Sequence, residues 1–399
     1  MPAFTVIDHA HMAQALRLAE HGLYTTQPNP RVGCVIAHGN EVVGSGWHAR
    51  AGEPHAEIFA LREAGERARA ATAYVTLEPC VHFGKTPPCA DALIAAGVAR
   101  VVAACEDSNP RVAGGGLAKL HASGITVETG LMRDVARELN RGFFSRIERG
   151  RPSVRVKLAM SLDGRTALAN GASQWITGEA ARADVQRWRA RSSAILTGSG
   201  TVRADDPRLT VRLEPLSHRE RGWGEGPAES ERYVACVASP GLAASLLPMG
   251  EGKNFVPPLR VVLDRRLCTP QNAHVLDGSV PTLVFHAFAA TPAHGGFGHV
   301  ECVAVELHAD RLDLAYVLRI LAERGVNELQ VEAGPTLCGA LFASGVVDEL
   351  LLYISPILLG NLAQPLLKLP GIDEIAAGRR LRVIDQRQIG NDWRLLLRE

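Results

Sequence analysis

The sequence predicts an α/β protein made of two domains. Apolar strand-like segments alternate with segments of helical periodicity along most of the chain, which is typical of a three-layer α/β/α arrangement with helices on both faces of a sheet. A length of 399 residues corresponds to about two domains. The composition, with 46% hydrophobic and 21% charged residues, is that of an ordinary globular protein.

The first domain is predicted to span residues 1–149. Apolar residues recur at helical spacing near the start of the chain, and a turn at 38–40 joins two strands. An arginine-rich linker near Gly150 ends the domain. The predicted strands are 32–37, 41–47, 73–77, 98–105 and 125–128, and the predicted helices are 8–22, 55–68, 90–96, 117–122 and 132–144.

The second domain, residues 150–399, repeats the alternation around one interruption. Segment 214–258 combines Arg and Glu runs with many glycines and prolines, so we expect a surface insertion there. No G-x-G-x-x-G motif follows a strand, which argues against a Rossmann-type dinucleotide site. The predicted strands are 154–158, 194–197, 259–264, 282–285, 300–305, 328–332, 349–355, 380–388 and 393–397, and the predicted helices are 178–189, 312–323 and 334–345.

Composition excludes several classes of protein. The formal net charge is +1, so nothing indicates a bulk nucleic-acid binder or a membrane-surface protein. Prolines and a glycine interrupt the uncharged segment 350–367, so we predict a strand and a loop there instead of a membrane span. The eight cysteines are scattered and do not form a disulfide framework, which predicts a reducing, cytoplasmic location.

Two short motifs carry the predicted chemistry. His55 is followed two residues later by Glu57, and Cys80 and Cys89 flank a proline-containing segment. One His and two Cys can supply three ligands to Zn²⁺ and leave a fourth position for water. In zinc deaminases the carboxylate of H-x-E is a proton carrier and not a ligand. We therefore predict His55, Cys80 and Cys89 as the metal ligands, at predicted helix starts, and Glu57 as a catalytic residue.

The spacing of the two cysteines departs from the usual P-C-x-x-C form of this signature. Eight residues separate Cys80 from Cys89. Two alternatives follow from the motif alone. A nucleic-acid base deaminase is disfavoured by the charge balance and by the long spacing, and a non-catalytic zinc-binding assembly protein is disfavoured by Glu57.

The first domain resembles the deaminase half of the bacterial bifunctional enzymes of riboflavin biosynthesis, the diaminohydroxyphosphoribosylaminopyrimidine deaminase/reductases. The resemblance covers essentially the whole domain and implies a cytidine-deaminase-like fold. It is carried by P-N-P-R-V-G at 28–33, A-G-E-P-H-A-E at 51–57, T-L-E-P-C-V-H-F-G-K-T-P-P-C at 76–89, D-S-N-P at 107–110 and V-A-G at 112–114.

This resemblance also implies a substrate site. It assigns Asn29, His48, Lys85 and Asn109 to the pyrimidine and its ribose phosphate. Lys85 is the natural partner of the phosphate, because the ligand is an anion and lysine carries a compact positive charge.

The second domain resembles the reductase half of the same enzymes, which is similar in fold to dihydrofolate reductase and uses NADPH. The resemblance spans the domain from end to end. It is carried by K-L-A-M-S-L-D-G-R-T at 157–166, S-Q-W-I-T at 173–177, A-I-L-T-G-S-G-T-V-R-A-D-D-P-R-L-T-V-R at 194–212 and V-E-A-G-P-T-L at 331–337.

The resemblance places two ligands in the second domain. Asp205 is implied as a catalytic residue that orients the reducing end of the sugar or assists proton delivery, and Glu332 as a group that polarises the sugar; both roles stay open. The implied cofactor site comprises Ala159, Trp175, Thr201, Asp205, Gly334, Pro335, Thr336, Leu337, Cys338, Gly339 and Ala340. The implied substrate site comprises Ser173, Arg189, Leu209, Arg212 and Glu332, whose two arginines suit a sugar phosphate.

One cofactor contact is predicted where this chain departs from the family pattern. Arg265 and Arg266 follow the strand 259–264, where a small polar residue is usual. We predict that one of them, with Arg265 preferred, meets the 2′-phosphate of NADPH.

Together these observations predict a cytoplasmic, bifunctional enzyme with one Zn²⁺ per chain and NADPH. The first domain is expected to deaminate 2,5-diamino-6-ribosylamino-4(3H)-pyrimidinone 5′-phosphate, and the second to reduce the ribosyl chain of 5-amino-6-(5-phosphoribosylamino)uracil to ribityl. A second reading keeps the deaminase and makes the reductase-like domain non-catalytic. Neither nucleic acid nor membrane is expected as a partner, and the resemblance implies a homo-oligomer, a dimer through the second domain.

Overall fold

The computed structural model describes residues 4–81, 88–110, 112–212, 255–291, 297–298 and 300–399. The described residues fall into two compact units: residues up to Arg149 together with 255–256 form the first, and residues from Gly150 to 212 together with 257–399 form the second. Nearly all of the predicted insertion at 214–258 lies outside the described residues. Each unit has its own sheet and its own apolar core, so the α/β class is confirmed.

The first unit is built on a five-stranded sheet with the order β2-β1-β3-β4-β5. Strand β1 pairs antiparallel with both β2 and β3, whereas β3, β4 and β5 run parallel. The strands are β1 (Gly33–His38), β2 (Glu41–Trp47), β3 (Thr72–Val75), β4 (Arg100–Ala103) and β5 (Thr126–Thr129).

Helices cover this sheet. Helix α2 contacts α3, and α3 contacts α4, whereas α1 contacts α5, as expected of two separate layers. Fully buried side chains such as Met12 of α1 and Leu93 of α3 join the helices to the sheet core. The helices are α1 (Val6–Glu20), α2 (Ala56–Ala64), α3 (Cys89–Ala95), α4 (Gly115–Ala122), α5 (Arg133–Leu139) and α6 (Arg141–Arg149).

The helix predicted at 132–144 is in fact two helices. Helix α5 ends at Leu139, and α6 begins at Arg141. The intervening Asn140 is buried; its side chain accepts the backbone N–H of Arg31 at 2.7 Å and donates to the Arg31 carbonyl at 2.9 Å. This reciprocal pair ties the break to the loop that carries Asn29, a contact that helical periodicity does not reveal.

The second unit is built on a nine-stranded sheet with the order β11-β10-β9-β8-β14-β6-β15-β18-β17. All pairs from β11 to β15 are parallel, and β18 and β17 close the sheet as an antiparallel hairpin. Its strands are β6 (Ser153–Ser161), β8 (Ala194–Gly198), β9 (Leu259–Leu263), β10 (Thr282–Ala287), β11 (Glu301–Val305), β14 (Glu328–Val331), β15 (Glu349–Ser355), β17 (Arg382–Ile389) and β18 (Asp392–Arg398).

Among the described residues of this unit, four α-helices and short accessory strands complete the fold. Helix α8, which follows β8 directly, is not among the helices predicted from the sequence. The helices are α7 (Glu179–Arg191), α8 (Ser199–Asp205), α9 (Leu314–Glu323) and α10 (Pro335–Ala343). Two short pairs, β7 (Arg165–Ala167) with β16 (Gln364–Pro365) and β12 (Leu307–His308) with β13 (Arg311–Leu312), lie outside the main sheet.

Candidate functional site

Helix α2 positions two of the predicted deaminase residues. His55 is its N-cap, in an extended conformation, and the buried Glu57 lies in its first turn. Strand β2 lets this helix approach closely, because a Cβ on Gly46 would lie 2.6 Å from the carbonyl oxygen of Ala56. The glycine therefore determines how near the zinc-site helix packs on the sheet.

The three predicted metal ligands converge. The Nδ1 atom of His55 lies 3.5 Å from the Cys80 sulfur and 3.3 Å from the Cys89 sulfur. The ligand atoms of all three residues lie within 4.8 Å of one another. Cys89 begins α3, as predicted, but Cys80 lies in the loop after β3 and not at a helix start, because the eight intervening residues separate it from the helix.

The electrostatics of this cluster favour one thiolate. Hydrogen bonds from Cys89 and from His55 lower the pKa of the Cys80 thiol. The contact with Cys80 and burial raise the pKa of the Cys89 thiol, so Cys80 is the sulfur that ionises first. Burial raises the pKa of the Glu57 carboxyl. Its Oε2 atom is buried and has no hydrogen-bond partner within the described part of the chain.

The donor set fits zinc. One imidazole nitrogen and two sulfurs are typical ligands of Zn²⁺ in a site with an open fourth position. A buried carboxylate oxygen needs a polar partner. A water in the open fourth position of the metal could be that partner for the Oε2 atom of Glu57.

Two predicted substrate residues lie beside this cluster. Asn29 donates to Nε2 of His48 at 3.0 Å, and Nδ1 of His48 lies 3.1 Å from the carbonyl oxygen of Pro54. The rings of His48 and His55 are 5.2 Å apart, edge to face. Burial lowers the pKa of His48, which favours the neutral ring.

The other two predicted deaminase residues are placed differently. Asn109 lies in the loop between β4 and α4, where its backbone N–H bonds to the Asp107 side chain at 2.8 Å. Lys85 lies outside the described residues. Sequence reasoning missed Glu78, a buried acid two residues before Cys80 whose carboxylate accepts several backbone N–H groups. The available signal was an acid between Leu77 and the Pro79-Cys80 pair, directly after the predicted strand 73–77.

In the second unit, predicted cofactor and substrate residues meet at the ends of β8 and β14. The Ser173 hydroxyl donates to Asp205 at 3.4 Å. Gly334, the N-cap of α10, lies near Thr201: a Cβ built on it would be 3.9 Å from the threonine oxygen. Leu337 packs against Gly198. Pro335 and Thr336 continue the first turn of α10.

A buried ion pair lies at the substrate side of this unit. Arg189 binds both carboxylate oxygens of Glu332 at 2.7 Å and donates to the carbonyl of Thr210. Burial raises the pKa of Glu332, but the Arg189 guanidinium outweighs it and holds the pKa at about 2. Lys157, which sequence reasoning missed, is close enough to Glu332 to interact electrostatically, and burial lowers its pKa. A lysine inside a buried strand was the signal.

The two remaining predicted substrate residues, Arg212 and Leu209, have different surroundings. Arg212 donates its backbone N–H to Gln186, and its side chain makes no ion pair with any described residue. Burial, followed by the nearby Arg189, lowers the pKa of Arg212. Leu209, in contrast, is only 2% exposed and packs in the core.

The remaining predicted cofactor residues also vary. Trp175 is 66% exposed, with the Arg182 guanidinium 4.6 Å from its ring centre. Ala159 is half-buried on β6, and Ala340 is half-buried on α10. Cys338 and Gly339 are buried on the inner face of α10.

Arg265 follows β9. Its guanidinium contacts both the carboxylate and the main-chain carbonyl oxygen of Asp310. Its prediction as a cofactor contact stays a prediction, and Arg266 is exposed beside it.

No helix among the described residues is both long and apolar enough to cross a membrane.

Two protein-family models match the chain. The model of the cytidine and deoxycytidylate deaminase zinc-binding region matches residues 5–105. The model of the RibD C-terminal domain matches residues 152–395.

Curated proteins resemble the chain over nearly its whole length. The riboflavin biosynthesis protein RibD of Escherichia coli is 47% identical, over 96% of this chain and 97% of that protein. The protein of the same name from Haemophilus influenzae is 43% identical, over 99% and 98%.

Solved structures agree. RibD of Acinetobacter baumannii superposes with a TM-score of 0.82 at 40% identity, with 98% of each chain covered. A deaminase/reductase from Thermotoga maritima superposes with a TM-score of 0.78 at 28% identity and the same coverage. The two predicted folds are thereby confirmed.

Proposed function

The chain belongs to the RibD family of bifunctional riboflavin-biosynthesis enzymes, and from this membership we propose which of its residues carry each of its two reactions. The protein is a zinc-dependent deaminase and an NADPH-dependent reductase. We assign deamination to residues 1–149 and reduction to residues 150–399.

For deamination, His55, Cys80 and Cys89 hold the zinc ion. When bound, zinc acts as a Lewis acid that makes water a stronger nucleophile near neutral pH. Glu57 accepts one proton of the attacking water and passes it to the pyrimidine ring nitrogen. It then moves the second proton from the newly formed hydroxyl to the amine, which leaves as ammonia. The single observation that carries this assignment is the buried, unpartnered Glu57 oxygen beside the convergent ligand cluster.

The pyrimidine ribosyl phosphate is held by residues around this cluster. Asn29 and His48, already joined by a hydrogen bond, face the ring, and a neutral His48 accepts or donates without adding charge. Asn109 contributes a further polar contact, and Lys85 binds the phosphate. The substrate is 2,5-diamino-6-ribosylamino-4(3H)-pyrimidinone 5′-phosphate.

For reduction, the cofactor lies along the start of α10, with Gly334 to Leu337, Thr201, Ala159 and Trp175 beside it. When bound, NADPH supplies the hydride for the ribosyl carbon. The next residues of α10 pack against this first turn and complete the cofactor site; they are Cys338, Gly339 and Ala340. Arg265 contacts the 2′-phosphate of the cofactor. The helix N-terminus favours an anionic group.

The substrate of the reductase, 5-amino-6-(5-phosphoribosylamino)uracil, is bound by Ser173, Arg212 and the backbone of Leu209. Arg212 is the phosphate partner that the geometry favours, because the donors of Arg189 are already engaged by Glu332 and Thr210. Arg189 then keeps Glu332 ionised and oriented toward the sugar. Asp205 orients the reducing end through its contact with Ser173.

The test separates the two assignments. Glu57→Gln is expected to reduce ammonia release by a factor of at least about 10² while zinc content stays unchanged. Arg212→Met is expected to raise the KM of the reductase substrate about tenfold, with Arg319→Met on α9 as a matched control. Ammonia release without any NADPH oxidation by the unaltered protein would instead favour a non-catalytic second domain.

We further propose a cytoplasmic homodimer formed through the second domain. All cysteines among the described residues are free thiols, which suits a reducing compartment. Leu358, Leu362 and Ile375 are large apolar side chains at 69%, 81% and 91% exposure, which suits burial against a second copy. Light scattering of the Leu362→Asp variant is expected to give a monomer; a monomeric unaltered protein would contradict the proposal.

A further inference from the structure

Glu78 is a buried acid with an unusual number of backbone partners. It is only 4% exposed and lies between β3 and the zinc ligand Cys80. Its carboxylate accepts four backbone N–H groups. These belong to Asp107 at 3.2 Å, Gly114 at 3.0 Å, Gly116 at 2.8 Å and Leu117 at 3.3 Å.

The contact between the two segments is close as well as polar. A Cβ on Gly116 would lie 2.0 Å from the carbonyl oxygen of Pro79, so only glycine fits there. The backbone N–H of Glu78 donates to the carbonyl of Cys105 at 2.9 Å. The segment before Cys80 is therefore held to the end of β4 and to the start of α4 at the same time.

The loop that Glu78 holds carries Asn109. Within this loop, the backbone carbonyl of Asn109 accepts hydrogen bonds from the backbone N–H groups of Val112 at 2.8 Å and of Ala113 at 3.0 Å. Both oxygens of Glu78 accept hydrogen bonds inside the protein, so it is suited to neither metal ligation nor proton transfer. A carboxylate that gathers several N–H groups acts as an anchor, because each of these bonds is charge-assisted.

We propose that Glu78 is a positioning residue of the deaminase reaction, which fixes the Asn109 loop relative to the zinc ligand Cys80. The inference rests on the proposed function, in which Asn109 contacts the pyrimidine substrate. Glu78 acts on the substrate through the loop, so its loss changes substrate binding in molecules that still hold zinc.

The test is steady-state deamination by zinc-loaded Glu78→Gln protein. The amide keeps the shape of the side chain but turns an N–H donor toward N–H donors, so the loop loses its anchor. We expect KM to rise at least about tenfold, because the loss of one charge-assisted hydrogen bond already corresponds to such a factor. Zinc content and reduction of the deaminated uracil substrate are expected to stay unchanged.

Two further variants keep the result interpretable. Gly116→Ala leaves the Glu78 carboxylate intact but forces the same loop away from Pro79, so it is also expected to raise KM. In the double variant Glu78→Gln/Gly116→Ala, the two effects on KM are expected to be non-additive. It carries the test if Glu78→Gln does not fold. Glu63→Gln is the matched control, since Glu63 accepts the backbone N–H of Ser45 on the surface of the same unit.

The outcomes are distinct. Unchanged KM in zinc-loaded Glu78→Gln, or an activity loss that only follows zinc loss, would overturn the positioning role and leave the proposed function standing. An unaltered protein that releases no ammonia would overturn the proposed function itself.

Discussion

At the scale of single residues, the first domain contains thiols whose pKa values are shifted in opposite directions. Hydrogen bonds from Cys89 and His55 lower the pKa of Cys80, whereas burial raises the pKa of Cys105 to about 12. Of these two thiols, only Cys80 also lies within the cluster of potential metal ligands formed with His55 and Cys89.

This contrast predicts the effect of removing each sulfur. Cys80→Ser is expected to abolish stoichiometric zinc binding and to reduce deaminase activity by at least about 10², because only two protein ligands remain. Cys105→Ser is expected to retain both. Metal analysis of the purified variants with an ammonia assay checks this; full zinc content in Cys80→Ser would refute the ligand assignment.

Glu332 gives the second unit a defined response to acid. Its folded pKa of about 2 lies below the usual value for a glutamate, so its contribution to stability is complete above about pH 4.3 and is lost as the pH falls toward 2. Unfolding midpoints in urea between pH 2 and 5 are expected to change less steeply in Glu332→Gln than in the unaltered protein. Parallel slopes would show that the Arg189 pair does not supply this acid sensitivity.

The zinc ligands and Glu57 could be predicted from the sequence because their spacing is local and chemically specific. Glu78 and Lys157 could not, since their importance depends on loops and strands that lie far away in the chain. Arg189 and Glu332 were both predicted as substrate-site residues, but their ion pair, which spans 143 residues of the chain, was not.

At the scale of elements, the contact between β2 and α2 sets the depth of the zinc-site helix. Two glycines on β2 face the helix backbone, and a Cβ on Gly44 would lie 2.2 Å from the Ala60 carbonyl oxygen. The strand therefore holds the helix through close backbone packing.

Gly46→Val is expected to destabilise the first unit by about 1–3 kcal/mol through overpacking, and to reduce deaminase activity more than reductase activity. Thermal unfolding and the two activity assays on the same sample check this. Ser45→Ala, on the same strand, is the comparison variant. An equal loss of both activities in Gly46→Val would contradict a local effect on the zinc-site helix.

Most elements could be predicted from periodicity, because their apolar faces are regular. The failures occur where a tertiary contact overrides a local pattern. Asn140 divides one predicted helix because Arg31 offers its backbone as a partner. Helix α8, which follows β8 directly, is not among the predicted helices, because seven residues are too few to show a clear helical period.

At the scale of the whole molecule, two units with separate cores match two separate family models. The order of units follows the order of reactions, since the product of the deaminase is the substrate of the reductase. The class of each fold was predictable from alternation together with family motifs. The insertion at 214–258 and the Lys85 segment lie mostly outside the described residues, and their predictions stay predictions.

The central claim, that two independent sites act in sequence, is tested most directly by NADPH absorbance during turnover of the diaminopyrimidine ribosyl phosphate. The unaltered protein is expected to consume NADPH with this substrate, whereas Glu57→Ala is expected to do so only when the deaminated uracil compound is supplied. NADPH consumption by Glu57→Ala from the undeaminated substrate, or none by the unaltered protein, would contradict the account.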